Sequence, residues 1–308
     1  MDPVDIARAR HRLYGLLGQL LVDGPTDALA DTVAALPALA DAWPAGDADA
    51  RQATHHRVFG LEVFPYESVF VGADGVMGGD ATGALRRDLQ AAGFRGGRTD
   101  VEVDHVGLEL AALSWLCAAE AEALEDDVDP APARAHQARL LHRHVARWLP
   151  ALSLAVHGLD PWTQRVLALA EELVAAHCTA LGPTPGWTLP PRPDDLLDDR
   201  RTGLARIARA WLVPAHSGWA LSRQSIGRLA ARAGVPSGFG PRWKMLEGVL
   251  AGAVDHDSAD AALDALADEL ARWRDGYARA EALGLPIGPW RTRLAATEGE
   301  LSRIRDAV

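Results

Sequence analysis

Lysine is nearly missing from this chain of 308 residues: 31 residues are basic, and Lys244 is the single lysine among them. The bias fits a GC-rich genome, and no function is read from it. Cysteine is almost as scarce, with Cys117 and Cys178 each set inside an apolar helical pattern. Two thiols without paired spacing read as small buried hydrophobes in a reducing compartment, and they exclude a disulfide framework. They also leave too few ligands for a structural zinc or iron–sulfur site. Positive charge is in deficit, 31 basic against 42 acidic residues for a net −11. That balance disfavours a general binder of nucleic acid or anionic membrane and suits a cationic partner. No stretch approaches the roughly 18 uncharged apolar residues of a membrane span. The start, MDPVDIARAR, has neither the basic leader nor the apolar run of a signal peptide, so the chain is expected in the cytoplasm, without membrane insertion. Strand alternation, a Gly-Lys-Ser/Thr phosphate loop and a Gly-x-Ser-x-Gly elbow are absent as well, which removes the common enzyme signatures.

What is present is helix. Apolar residues make up 48%, enough for a substantial core. Asp2 suits an N-cap and Pro3 the first helical position. Ile6, Leu13, Leu16, Leu17 and Leu20 then form one face before Asp23-Gly24. The spacing predicts a second, shorter helix over 26–43, a third over about 50–60, and another from Thr82 to Gly93. A helix from His105 to Leu124, apolar almost all round, is expected at the centre. Further helices are expected at 131–148 and 161–181, the latter opened by Asp160-Pro161. Residues 71–80 are glycine-rich and read as loop. The stretch 183–200, with five prolines, reads as a linker between a domain at 1–182 and a helical region at 201–308. In that region Leu263, Leu266, Leu270, Trp273 and Tyr277 make a stripe read as ordinary core, because it spans barely two heptads. The expected fold is an all-α helical bundle with an additional C-terminal helical region.

Two clusters carry chemistry. In Phe64-Pro65-Tyr66-Glu67-Ser68-Val69-Phe70 the proline fixes its own backbone and extends Phe64, so Tyr66 is presented at a defined angle beside the glycine loop. Such an edge suits peptide capture, or packs a loop onto the core. Downstream stand Glu102, Asp104-His105 and Glu109. Asp104 is placed as the N-cap of the central helix, with His105 exposed beside it. A hydrolase using Asp104, His105 and Glu109 is a further reading, weakened because neighbours in one helical turn point apart. His55-His56 and His142 with His144 are one and two residues apart, a poor spacing for a metal. A different class of function, a helix-turn-helix regulator using residues 217–247, rests on a helix starting near Ser222 with Arg223, Arg228, Arg232, Arg242 and Lys244 for phosphates. Pro236, Gly238, Gly240 and Pro241 fall where its recognition helix should begin.

The ordered set Arg10 to Leu17, Pro65-Tyr66-Glu67-Ser68-Val69, Gly79-Asp80, Asp104-His105, Glu109-Leu110, His144, Trp148-Leu149-Pro150 and Pro161-Trp162 resembles the TorD/DmsD/NarJ family over about residues 5–182. The resemblance implies cytoplasmic chaperones for molybdenum-cofactor oxidoreductases. These carry no catalysis, bind the apo catalytic subunit, often through its twin-arginine signal peptide, and occur as monomer or homodimer; the residues themselves point to no cofactor. It implies client-binding roles for Pro65, Tyr66, Gly79, Asp104 and His105. The residues supply a rationale in carboxylates at Glu67, Glu102 and Asp104, with Glu109 nearby, beside aromatic walls at Phe64, Tyr66 and Phe70. The tail at 183–308 is longer than the family pattern.

Overall fold

The computed structural model describes residues 2–307 except 97, 99, 193–195 and 199–201. The described residues are all-α, and the sheet-like pairing found among them is an isolated antiparallel bridge between Tyr66 and His105. The chain folds into two compact units, one of residues 1–68, 77–186 and 283–286, the other of 69–76, 187–282 and 287–308. No helix among the described residues is long and apolar enough to cross a membrane.

The first unit is built from α1 (Pro3–Asp23), α2 (Ala30–Ala34), α3 (Pro37–Ala40) and α4 (Ala48–His56). Then come the start of α5 (Glu67–Val71), α6 (Gly79–Ala91), α7 (Val106–Glu125), α8 (Ala131–Leu140), α9 (Ala146–Val156) and α10 (Pro161–Leu181). Asp2 caps α1 as expected, its carboxylate accepting from the Val4 N–H at 3.1 Å, and Pro3 opens the helix. Leu16, Leu17, Leu20 and Leu21 are buried against α7, the most extensively packed partner. The crossing is close because it is lined by glycine. A Cβ on Gly107 would stand 2.4 Å from Val22 Cγ2 and 2.6 Å from the Gly18 carbonyl oxygen.

Behind that crossing runs a buried polar chain. Tyr14 Oη donates to His177 Nδ1 at 3.1 Å, His177 Nε2 donates to Gln137 Oε1 at 3.0 Å, and Gln137 Nε2 donates to Glu120 at 3.0 Å. Burial pushes the His177 pKa down to about 3, which keeps the ring neutral, and the acceptor-only Gln137 Oε1 assigns its proton to Nε2. Cys117 and Cys178 are buried free thiols, and burial pushes both up to about 12.

The structure corrects several boundaries. The expected helix over 26–43 is a 3₁₀ turn at Asp27–Leu29 followed by α2 and α3, broken because Leu36, held before Pro37, is extended at φ −102°, ψ 106°. The third helix widens into a π turn over Arg57–Glu62 before the Phe-Pro-Tyr segment. The helix expected to stop at 148 passes through a second π turn, Leu141–Val145, and continues as α9 to Val156 with Pro150 inside it. Wide turns of this kind are where a helix absorbs an extra residue.

The second unit holds α11 (Leu204–Trp211), α12 (Pro214–Ser217), α13 (Arg223–Ala233), α14 (Arg242–Asp255), α15 (Ala259–Ala282) and α16 (Gly288–Arg305). Its core is aromatic: Trp211, Trp219, Trp273, Tyr277 and Trp290 are almost fully buried. The stripe Leu263 to Tyr277 is internal core, as its shortness suggests. Buried polar ends are matched, with Tyr277 Oη donating to the Gly218 oxygen at 2.8 Å and Trp211 Nε1 to Glu300 at 2.8 Å. The proline-rich stretch 183–200 lies partly outside the described residues. From Trp187 to Pro190 it packs on α16: Trp187 sits 6.2 Å from Trp290, and Arg293 donates to the Pro190 oxygen at 2.6 Å.

Candidate functional site

The Phe-Pro-Tyr turn and the Asp-His pair, 38 residues apart, are joined backbone to backbone. The Val106 N–H donates to the Pro65 oxygen at 3.0 Å and the Glu67 N–H to the Asp104 oxygen at 2.9 Å. Tyr66 and His105 then meet edge to face, ring centroids 5.1 Å apart at 81°. Proline at 65 supplies the acceptor without a competing donor, and the extended backbone it imposes on Phe64 lets the turn lie alongside residues 104–106.

The helix cap falls one residue later than expected. His105, not Asp104, is the N-cap of α7: its Nδ1 accepts from the Gly107 N–H at 3.1 Å, and burial pushes its pKa to about 3. His105 is therefore buried and neutral, where an exposed histidine was expected. Asp104 instead caps the facing α5, its Oδ2 accepting from the Ser68 N–H at 3.0 Å and from Thr82 Oγ1 at 2.9 Å. Satisfying first-turn N–H groups from a distant carboxylate does the work of a local cap.

Beneath the turn lies a set of buried carboxyls. Glu67, Asp104 and Glu109 are each 1% exposed or less. Glu67 is bound to His144 Nδ1 at 2.9 Å, and the other nitrogen of that ring donates to Asp88 at 3.1 Å. Arg143 stands 3.3 Å from Asp88. Burial alone would lower the His144 pKa, but hydrogen bonds and charge from Glu67 and then Asp88 outweigh it, so the pKa is raised and the imidazolium is the favoured form. Glu109 accepts from Trp148 Nε1 at 3.2 Å; burial, then the neighbouring Glu67 and Asp104, push its pKa well up, so this acid is held neutral.

The surface above is an open groove of about 430 Å³ whose walls include Tyr66, Met77, Glu102, Val103 and Leu108. Phe64 and Glu102 are exposed at the surface, while Tyr66 is half-buried. Partial burial, then the carboxylates of Asp104, Glu102 and Asp100, push the Tyr66 phenol up, so the ring sits in a negative field. Two of those carboxylates already carry arginines: Arg86 stands 3.5 Å from Glu102, and Arg98 2.8 Å from Asp100.

The sequence-predicted residues thus separate into layers. Tyr66 and Glu102 line the groove, with Phe64 exposed one residue beyond Pro65. Pro65, Glu67, Asp104, His105 and Glu109 form the buried support. Gly79 is exposed, at φ +77° where α6 begins, and its neighbour Gly78 donates to Ser68 Oγ at 3.0 Å. The acidic rim expected from Glu67, Glu102 and Asp104 is corrected to Glu102 with Asp100, since burial and internal bonds occupy the other two. Phe70, expected as an aromatic wall, is buried. Sequence reasoning missed Asp88, Arg86, Arg98 and Asp100, whose partners are set by tertiary packing or by a turn without helical period.

The paired histidines are likewise structural. His55 sits 3.3 Å from the Val22 oxygen and His142 2.7 Å from Thr184 Oγ1. No group of three or more potential ligands among the described residues could hold a metal. The helix-turn-helix reading finds no support. Ser222 does cap α13, accepting from the Ser225 N–H at 3.0 Å, but α14 begins only at Arg242, too far for the short turn of that motif. Arg223 and Arg242 donate to backbone oxygens of Gly240 and Leu221, and Arg232 pairs with Asp268.

The residues that build this geometry lie in a stretch with a family resemblance. Residues 26–153 match the family model described as nitrate reductase delta subunit. The resemblance to NarJ/TorD-type chaperones carried by the ordered motifs is therefore shown over the stretch that contains the whole turn, cap and groove. The chain is also similar to the selenate reductase assembly chaperone protein of Thauera selenatis, 37% identical over 79 residues, 26% of this chain and 41% of that one. With the chlorate reductase assembly chaperone protein of Ideonella dechloratans it shares 34% over 82 residues, 27% and 42% of the two chains. The chain spans about two fifths of the length of these curated relatives. No solved structure matches it.

Proposed function

We propose that this protein is a cytoplasmic assembly chaperone that binds the apo catalytic subunit of a molybdenum-cofactor oxidoreductase, often through its twin-arginine signal peptide, and holds it during maturation. The observation that carries the reading is the convergence of Tyr66 with Glu102, Val103 and Leu108 on one groove, within the residues that match the nitrate reductase delta subunit model, in a chain similar over part of its length to a reductase assembly chaperone. A cationic, apolar client segment would exchange its guanidinium groups for Arg86 and Arg98 on Glu102 and Asp100, and lay apolar side chains on Tyr66, Val103 and Leu108. Trading one arginine for another costs little desolvation, and net −11 favours the encounter. The reading is of a non-enzyme. Asp104 and His105 are both buried, His105 Nδ1 accepting from a backbone N–H and Asp104 Oδ2 from α5, so neither presents a base to a substrate at the surface. In the same reading residues 1–182 are the chaperone domain and 201–308 an added helical region beyond the 183–200 linker.

The test is capture of the client signal peptide by the native chain and by Tyr66→Ala/Glu102→Ala, both at the groove surface, where folding is spared. We expect affinity to fall roughly tenfold or more in the double variant, from one lost aromatic contact and one charge-assisted bond. Equal binding by both proteins would remove the groove from the mechanism.

A further inference from the structure

We infer that the second unit carries a contact face for an anionic lipid surface, made by the exposed Phe239 on its loop and by Trp243 with the cations gathered around it. Nothing in this inference depends on the chaperone reading, which concerns the first unit.

Phe239 is 99% exposed, the extreme among the large apolar side chains. It stands between Gly238 at φ +69° and Gly240 at φ +118°, left-handed positions that turn the loop outward and that other residues adopt poorly. The loop is nevertheless pinned. Arg223 Nη1 donates to the Gly240 oxygen at 2.8 Å and lies 3.5 Å from Met245 Sδ, and the Met245 N–H closes back on the Pro241 oxygen at 3.1 Å. A tethered tip carrying one bare aromatic ring is a presented group, not a frayed end.

One turn further on, Trp243 is half-buried at the start of α14. The Arg209 guanidinium lies 3.9 Å from its ring centroid and Lys244 Nζ 5.6 Å. Arg242 donates to the Leu221 oxygen at 2.9 Å, beside the same loop. Two cations, Arg209 and Lys244, are thereby held at the Trp243 ring, and two more, Arg223 and Arg242, are fixed on the backbone at Gly240 and Leu221.

The surrounding sequence is polarised. Residues 202–254 contain seven arginine or lysine residues and one acid, Glu247, inside a protein of net −11. The net charge that disfavours a general membrane binder conceals a basic island. Acids of this unit concentrate on α15 and α16, where Arg232 finds Asp268.

A lone ring standing clear of the surface needs surroundings that close on it from every side. The headgroup boundary of a bilayer does so without a preformed pocket, with the aromatic group below and arginine or lysine at the phosphate level. A nucleic acid would use the same cations, but it would take the aromatic rings as flat stacking surfaces, and here Arg209 already covers Trp243.

Flotation of the full chain at low salt, with vesicles of equimolar phosphatidylglycerol and phosphatidylcholine or of phosphatidylcholine alone, tests the assignment. We expect co-flotation with the anionic vesicles only, weakened by salt. Phe239→Asp and, separately, Arg209→Glu/Lys244→Glu should each lower the partition roughly tenfold or more, with the circular dichroism spectrum unchanged. Phe239→Trp should retain it. Absence of flotation at low salt overturns the proposal, as does flotation indifferent to Phe239→Asp. So does Phe239-dependent binding to poly-glutamate or single-stranded DNA stronger than to vesicles, which would assign the face to an acidic protein or to nucleic acid.

Discussion

His144 ties the buried support of the groove together through two carboxylates, Glu67 and Asp88, that lie 77 and 56 residues away in sequence. Its charge is favoured by those bonds against the cost of burial, so the folded state retains a proton that the unfolded chain releases near the ordinary imidazole value of 6.5. The sign follows: this stabilisation is complete below about pH 6.5 and is lost as pH rises through the raised value. His105 and His177, both near 3 in the fold, act oppositely and lose their contribution as pH falls from 6.5 toward 3, whereas Glu109, raised by burial, loses its contribution as pH rises, as His144 does, so the comparison with a His144 variant isolates the histidine. Thermal melts between about pH 6 and about pH 9 should therefore show a native advantage over His144→Gln that shrinks with rising pH. His144→Ala, which strands Glu67 in the core, should cost about 3 kcal/mol near pH 6. An advantage constant across that window would contradict the imidazolium. None of this was legible in the sequence, where His142 and His144 read as a pair at a spacing unsuited to a metal. The π turn at 141–145 adds a residue to the helical path, and the partners come from elsewhere in the chain.

Among the elements, α7 contributes Leu108 to the groove wall, with His105 as its N-cap, and α1 packs behind it. Their approach depends on Gly107, where a Cβ would meet a backbone oxygen that cannot move aside. Gly107→Ala should destabilise by about 3 kcal/mol in urea unfolding and weaken client capture as well, because the same turn holds the cap. Unchanged stability would mean that the helices part without cost. The elements themselves were largely readable: Asp2-Pro3, Asp160-Pro161 and Ser222 are all found capping or opening the helices they announced. The failures have local physical causes. Leu36 is forced out of helix by Pro37, and the carboxylate of Asp104 satisfies a distant helix in place of its own, which no spacing along one helix reveals.

For the molecule as a whole, the two units are not simple halves of the chain. Residues 69–76 belong with the second, where a Cβ on Gly75 would sit 3.6 Å from Val213. A chain ended at Gly186 is expected to lose the packing of Val69, Phe70 and Val71, which are buried in the full protein. It should bind a hydrophobic dye and melt several degrees lower than the intact protein. A dye-silent fragment of undiminished melting temperature would show that the first unit needs nothing from the rest. Charge is also distributed at this scale, since net −11 coexists with the basic run from 202 to 254. Salt should therefore weaken cationic client binding to the first unit and vesicle binding by the second alike.

The sequence by itself determined the helices, the apolar core stripes, the proline that stiffens the aromatic turn and the ordered motifs that carry the family resemblance. These are properties of local dihedral preference and of periodicity. Only the tertiary structure decided which side chains reach the groove surface and which lie beneath it. It brought Tyr66 against His105 and buried Glu67, Asp104 and Glu109 beneath them. It left Glu102 and Asp100 as the outward acids, because burial and hydrogen-bond partnership arise from segments that meet across dozens of residues.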